Sequence, residues 1–126
     1  MTEKLPEGVN QKVAVGDLGI DFEAVDPADT VAGQPEQGSV DLGALAGADV
    51  GVWELRGGTV TDTEADEFFV VVSGGATIEI LEGPNAGETL TVTAGDAARL
   101  VAGTKTRWTV SDHIRKVYIM DGSASS

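Results

Sequence analysis

The chain has no cysteine, one histidine and few aromatic residues: three phenylalanines, two tryptophans and one tyrosine in 126 residues. Without cysteine there is no disulfide, no thiolate nucleophile and no thiolate metal site, and thiol usage says nothing about the redox compartment. Positive charge is also scarce. Eight Lys and Arg stand against 21 Asp and Glu, a formal charge of -13, which disfavours nucleic acid and anionic membrane surfaces as partners. The N-terminus lacks the basic start and apolar block of a secretory signal, and no apolar run reaches the length of a membrane span. These absences lead to the expectation of a cytoplasmic, soluble protein. The few cations are unevenly spread. Between residues 13 and 98 Arg56 stands alone, whereas Arg99, Lys105, Arg107, Arg115 and Lys116 cluster near the end.

Helical periodicity is missing as well. Short β-branched runs alternate with Gly, Pro, Asn and Asp clusters, the pattern of strands and turns. The segments 49–55, 67–75, 76–81, 89–92, 97–101, 107–110 and 113–120 read as strands. Turns are expected at "RGG", "SGG", "EGPNAGE", "TAGD" and "AGTK". Regular spacing of this kind predicts an all-β sandwich or small barrel of antiparallel strands. Residues 1–39 read as a segment that wraps the surface with at most short strands, residues 40–120 as one continuous barrel, and 121–126 as a frayed tail.

The stretch "TDTEADEFFVVVSGG" (61–75) sets four carboxylates before five large apolar residues. Six residues separate its Glu67 from Gly74, and "GDAARLVAGTKTRWTV" places Gly95 and Gly103 eight apart. This pattern resembles the cupin family, whose first motif runs His-x-His, Glu, Gly and whose second runs Gly, Pro-x-Gly, His. Across residues 40–120 it is similar to the cupin subgroup found near ethanolamine-utilisation proteins and ureidoglycine aminohydrolases. The resemblance implies a double-stranded β-helix, a jelly-roll-like barrel with its active site on the inner face, and a homodimer.

Carried over residue by residue, the family's ligand positions hold Glu67 but not the imidazoles. The paired histidines correspond to Thr61 and Thr63 on the short spacing or Val60 and Asp62 on the longer one. Val101 stands at the proline and Thr106 at the last histidine. A threonine hydroxyl does not replace imidazole toward iron, manganese, nickel or zinc, so no metal cofactor is expected. His113 follows "SD" and reads as a surface or turn residue.

Strand alternation puts Thr106, Trp108 and Val110 on one face and Lys105, Arg107 and Thr109 on the other, and it groups Glu67 with Phe69 and Val71. Filling the barrel turns Thr106 and Trp108 inward. Glu67 then faces a small enclosure with Thr106, Trp108 and Thr61 or Thr63, as a ligand-binding group or general acid/base; the alternative is a remnant satisfied by hydroxyls or backbone amides. Glu54 either approaches Glu67 to share a proton or faces solvent. Lys116 shares a face with Tyr118 and Met120, and either turns inward to a carboxylate or stays at the rim. Trp53 and Tyr118 read as core or interface aromatics.

The serines show no histidine partner in the sequence and "GDAARLVAG" lacks a strand-turn-helix context, which argues against a serine hydrolase. The glycines join strands and form no phosphate cradle. The expectation is a small-molecule-binding barrel; an enzyme acting on a small nitrogen- or oxygen-rich metabolite and a ligand-free accessory homodimer are the alternatives.

Overall fold

The computed structural model describes residues 3–122. Seven strands form one antiparallel sheet: β1 (Glu23–Ala24), β2 (Thr30–Leu45), β3 (Ala48–Thr63), β4 (Glu67–Glu82), β5 (Thr89–Thr93), β6 (Ala97–Leu100) and β7 (Lys105–Asp121). Their order is β1-β2-β3-β7-β4-β5, with β6 also pairing β4. The only helical element among the described residues is a 3-10 turn, Pro27–Asp29, capped by the Asp26 carboxylate, which accepts from the Ala28 N–H at 2.9 Å. No helix among these residues is long and apolar enough to cross a membrane.

Three strands, β3, β4 and β7, are about twice the length the sequence suggests. The expected turns at "RGG" and "SGG" are bends inside β3 and β4, and the segments 107–110 and 113–120 are halves of a single strand, β7. Glycine marks a break in a regular ladder, and a bulge uses the same residue type as a turn. Pairing slips between Arg56 and Gly58 on β3, between Val71 and Thr77 on β4, and opposite residues 111–112 of β7. Gly74 has φ +71, and a Cβ there would collide with the His113 carbonyl.

These aligned bulges fold the sheet into two layers. The first contains β2 from Glu36, β3 up to Arg56, β7 from His113, β4 up to Ser73, and β6. The second contains the other halves of the four long strands together with β5. Leu55, Phe69, Val71 and Ile114 of the first layer pack with Val60, Ile78, Ile80, Trp108 and Val110 of the second in one core. This is the expected double-stranded jelly roll, and each fully buried large side chain in it contributes about 2 kcal/mol.

The N-terminal segment needs one correction. Residues before 23 make contacts with the first layer: the Leu5 N–H donates to the Leu42 carbonyl at 2.7 Å, and the Val15 and Leu18 carbonyls accept from Arg115. The segment 30–39, however, is the first part of the 16-residue strand β2 rather than surface wrapping. Its Gly33, Pro35 and Gly38 disguise a strand that shifts register twice between Thr30 and Glu36. The tail residues 123–126 lie outside the described residues.

Candidate functional site

One end of the barrel opens into a cavity of about 420 Å³. Alternate residues of three neighbouring strands of the first layer supply its floor. On β7 these are Lys116, Tyr118 and Met120; on β4, Glu67, with Phe69 buried in the core behind it; on β3, Asp49 and Trp53. Gly51 stands directly across from Tyr118, and any side chain there would strike the phenol ring. The second layer adds Val60, Asp62 and Trp108.

Lys116 turns inward. Its Nζ donates to Glu67 Oε2 at 2.6 Å, with both side chains almost fully buried. Three aromatic rings surround the ammonium, with centroids 4.6 Å away at Trp53, 4.5 Å at Phe69 and 4.9 Å at Trp108. Their negative π-faces offset part of the desolvation of the charge, by about 1 kcal/mol for each good contact. The rings also brace one another: Trp53 meets Trp108 edge-on at 5.6 Å, and Phe69 tilts against Trp108 at 5.7 Å. Gln37 accepts from the Trp53 indole at 3.2 Å and fixes that ring in turn.

A second polar cluster lies beside the pair. Glu64, buried in the β3–β4 connection, accepts from the Thr106 hydroxyl at 2.6 Å and from the Trp108 indole N–H at 3.0 Å through one oxygen. Burial raises the Glu67 pKa above the ordinary glutamate value despite the opposing pull of Lys116, and the Glu64 charge adds to the rise. Asp62 stands more exposed at the edge, yet partial burial, Glu64 and Glu67 together push it up to about 7, against the Thr63 amide and Lys116. The carboxylates whose charges act on one another here are therefore Asp62, Glu64 and Glu67, not Glu54. Burial likewise lifts the Tyr118 phenol, helped by Asp41, Asp49 and Glu67.

The inward positions of Thr106, Trp108 and Glu67 are as alternation predicts. Between the two spacings for the paired positions, pairing decides for the longer: Val60 lies across from Trp108 and Asp62 from Thr106. Thr61 and Thr63 border the same cavity, and Thr61 reaches the Asp29 carbonyl only at 3.5 Å. Glu64 was hidden to alternation because it lies in a connection, where the two-residue period no longer holds.

Glu54 corrects the expectation for it. It neither approaches Glu67 nor faces solvent, because it points to the outer face of the first layer. There it accepts from Arg115 Nε and Arg56 Nε, each at 2.6 Å. Burial alone would raise its pKa, but the two guanidinium groups outweigh burial and hold it below the usual value. Arg115 Nη1 also donates to the Val15 and Leu18 carbonyls at 2.9 Å, and Arg56 stacks 4.0 Å over Phe22, so this cluster fastens the N-terminal wrap.

His113 corrects another. A serine partner exists after all, since Ser73 Oγ lies 2.9 Å from His113 Nε2 and Asp112 Oδ2 lies 2.6 Å from Nδ1. The two residues are 40 apart in sequence, and only the paired bulges of β4 and β7 join them. Among the described residues no group of three or more His, Cys, Asp and Glu is arranged to hold a metal ion.

Residues 42–118 match the model of the EutQ-like cupin domain. Among solved structures, the chain is similar to the Clostridium difficile EutQ protein, with 23% identity and a TM-score of 0.59 over 70% of this chain and 64% of that one. A DUF861-family protein of unknown function from Pseudomonas syringae gives 21% identity and a TM-score of 0.67, over 82% of this chain and 44% of that one. A cupin-2 domain protein from Shewanella frigidimarina gives 16% and 0.55, over 66% and 78%. The chain thus spans less than two thirds of the length of the EutQ structure and less than half of the Pseudomonas one. At these identities the likeness is one of fold. Among curated proteins none matches.

Proposed function

The chain belongs to the EutQ-like cupin domain family, and on that premise we propose that its barrel binds a small polar metabolite without a transition metal. One observation carries the reading. The carboxylate at the family's acidic ligand position, Glu67, is already paired with a cation from the chain itself, the Lys116 ammonium at 2.6 Å. The remaining ligand positions do not fit a transition metal either. Thr106 is a neutral hydroxyl bonded to Glu64, Val60 has no donor, and Asp62 is one carboxylate among carboxylates that repel each other. The resident ammonium takes over the charge balance that a bound ion would supply.

The ligand chemistry follows from what borders the cavity. Five carboxylates, Asp29, Asp49, Asp62, Glu64 and Glu67, share it with one ammonium, Lys116, and with Trp53, Trp108 and Tyr118 as walls. An excess of acceptors beside aromatic faces favours a ligand bringing hydrogen-bond donors or positive charge. The names attached to similar structures make ethanolammonium one reasonable probe among small amines, amides and ureides. In a thermal-shift panel of such compounds, the reading expects a hit that stabilises the wild type and not Glu67→Gln or Lys116→Met. Stoichiometric iron, manganese, nickel or zinc in protein purified without chelator would refute it.

Glu67 with a raised pKa beside an ammonium also favours the enzymatic alternative, proton transfer on a nitrogen- or oxygen-rich metabolite. Turnover that Glu67→Gln abolishes while the hit still binds would select it. A homodimer completes the reading, supported by the exposed apolar side chains of Phe68, Val70 and Ile119 on the outer face of β4 and β7. Sedimentation as a monomer at micromolar concentration would remove that part.

A further inference from the structure

Ser73, His113 and Asp112 meet at the bulges, and none of them borders the barrel cavity. They line, with Arg56 and Arg115, a separate open groove of about 390 Å³. We propose that Ser73 is an activated nucleophile, with His113 as its general base and Asp112 positioning the imidazole, in a site that takes small, solvent-accessible acyl esters.

The geometry supplies the relay such a nucleophile needs. Asp112, with a largely exposed side chain, accepts from His113 Nδ1 at 2.6 Å. A proton held on Nδ1 leaves the Nε2 lone pair to accept the Ser73 hydroxyl at 2.9 Å. Consecutive residues of a regular strand point to opposite faces. Asp112 reaches His113 because residues 111–112 fall in the unpaired stretch between the Gly58–Val110 and Arg56–His113 pairs, where alternation is broken. Gly74 completes the arrangement, since only a residue without Cβ lets β4 come this close to the His113 carbonyl just after Ser73. Arg56, half exposed and paired with Glu54, also borders the groove.

In the reaction, Ser73 Oγ bonds to the ester carbonyl carbon as its proton passes to His113 Nε2. The carbon–oxygen bond to the alcohol then breaks, and Nε2 returns the proton to the departing oxygen, leaving an acyl-serine. Water gives a proton to Nε2 and adds to the acyl carbon. Oγ departs with that proton, so the serine is restored and the acid is released.

The full chain treated with a fluorophosphonate provides the test. Peptide mapping is expected to find one adduct, on Ser73, forming about 10²-fold faster than on the exposed Ser111, the contribution typical of a positioned base. His113→Gln should remove that advantage, Asp112→Asn should reduce it, and Asp112→Glu should restore part of it. A burst of p-nitrophenol from p-nitrophenyl acetate, about one per chain, should vanish in Ser73→Ala. Labelling of Ser73 no faster than Ser111 overturns the proposal, as does an undiminished rate in His113→Gln. The comparison with Ser111 is made within the wild-type protein, so a folding defect in a variant cannot obscure it. Ser73→Ala leaves the barrel cavity intact, which keeps this result separate from the metabolite-binding reading.

Discussion

Arg115 and Lys116 are neighbours on β7, each more than nine-tenths buried at the side chain and each 2.6 Å from a carboxylate, yet the two pairs are built for different ends. Arg115 points outward and spends its donors on Glu54 and on two backbone carbonyls of the N-terminal wrap. Glu54 is held by two guanidinium groups, and its pKa falls. Lys116 points inward to Glu67 among aromatic rings, and there the carboxylate pKa rises because burial and a neighbouring acid exceed what one ammonium offsets. The outer pair is saturated and fastens chain to chain. The inner pair is left short of positive charge, the condition in which a site gains from binding something.

The comparison breaks most severely at Arg115. Arg115→Met should cost about 3–5 kcal/mol in chemical denaturation, because it leaves Glu54 buried with only the half-exposed Arg56 and frees the wrap. Limited proteolysis should then cut before residue 23. Lys116→Met should cost about half as much near pH 8 and much less near pH 5, since Glu67 can take up a proton. The sign follows from its raised folded-state pKa: stability is lost as pH rises from the ordinary glutamate value through the folded one, and a pH series of denaturation midpoints checks it. Asp62→Asn sharpens the contrast without breaking a pair. Asp62 titrates near 7 when folded against an ordinary value of 3.8, so its share of stability falls between about pH 4 and 7 and is flat above. The asparagine variant should lack that slope in melting temperature. Glu54, lowered in the fold, acts in the opposite sense, and its contribution disappears as pH falls below about 4.5 in both proteins. Smallest of all, Arg56→Met should cost about 1 kcal/mol or less by denaturation, since its side chain is half in water and Arg115 remains.

Much of the inner face was legible in the sequence because it obeys a two-residue period. Glu67, Phe69 and Val71, and likewise Thr106, Trp108 and Val110, fall where alternation sends them. The period fails at the bulges and connections. It could not choose between the Val60 and Asp62 pair and the Thr61 and Thr63 pair, because each pair shares a face of its own and only the pairing with β7 tells which lies on the face of Thr106 and Trp108. It could not see Glu64, which lies between strands. Glu54 has correct parity for the outer face, but its partner lies 61 residues away and its cover comes from the N-terminal wrap. Ser73 and His113 are joined only where two bulges come into line, a coincidence that composition and spacing do not encode.

That alignment also sets how the molecule comes apart. β3, β4 and β7 each cross from one layer to the other without a break, so the two halves share their backbone and neither can detach while the other persists. Loss of order on heating should be a single event. A guest held where the layers meet would therefore slow amide exchange across the whole barrel rather than at its own doorway alone.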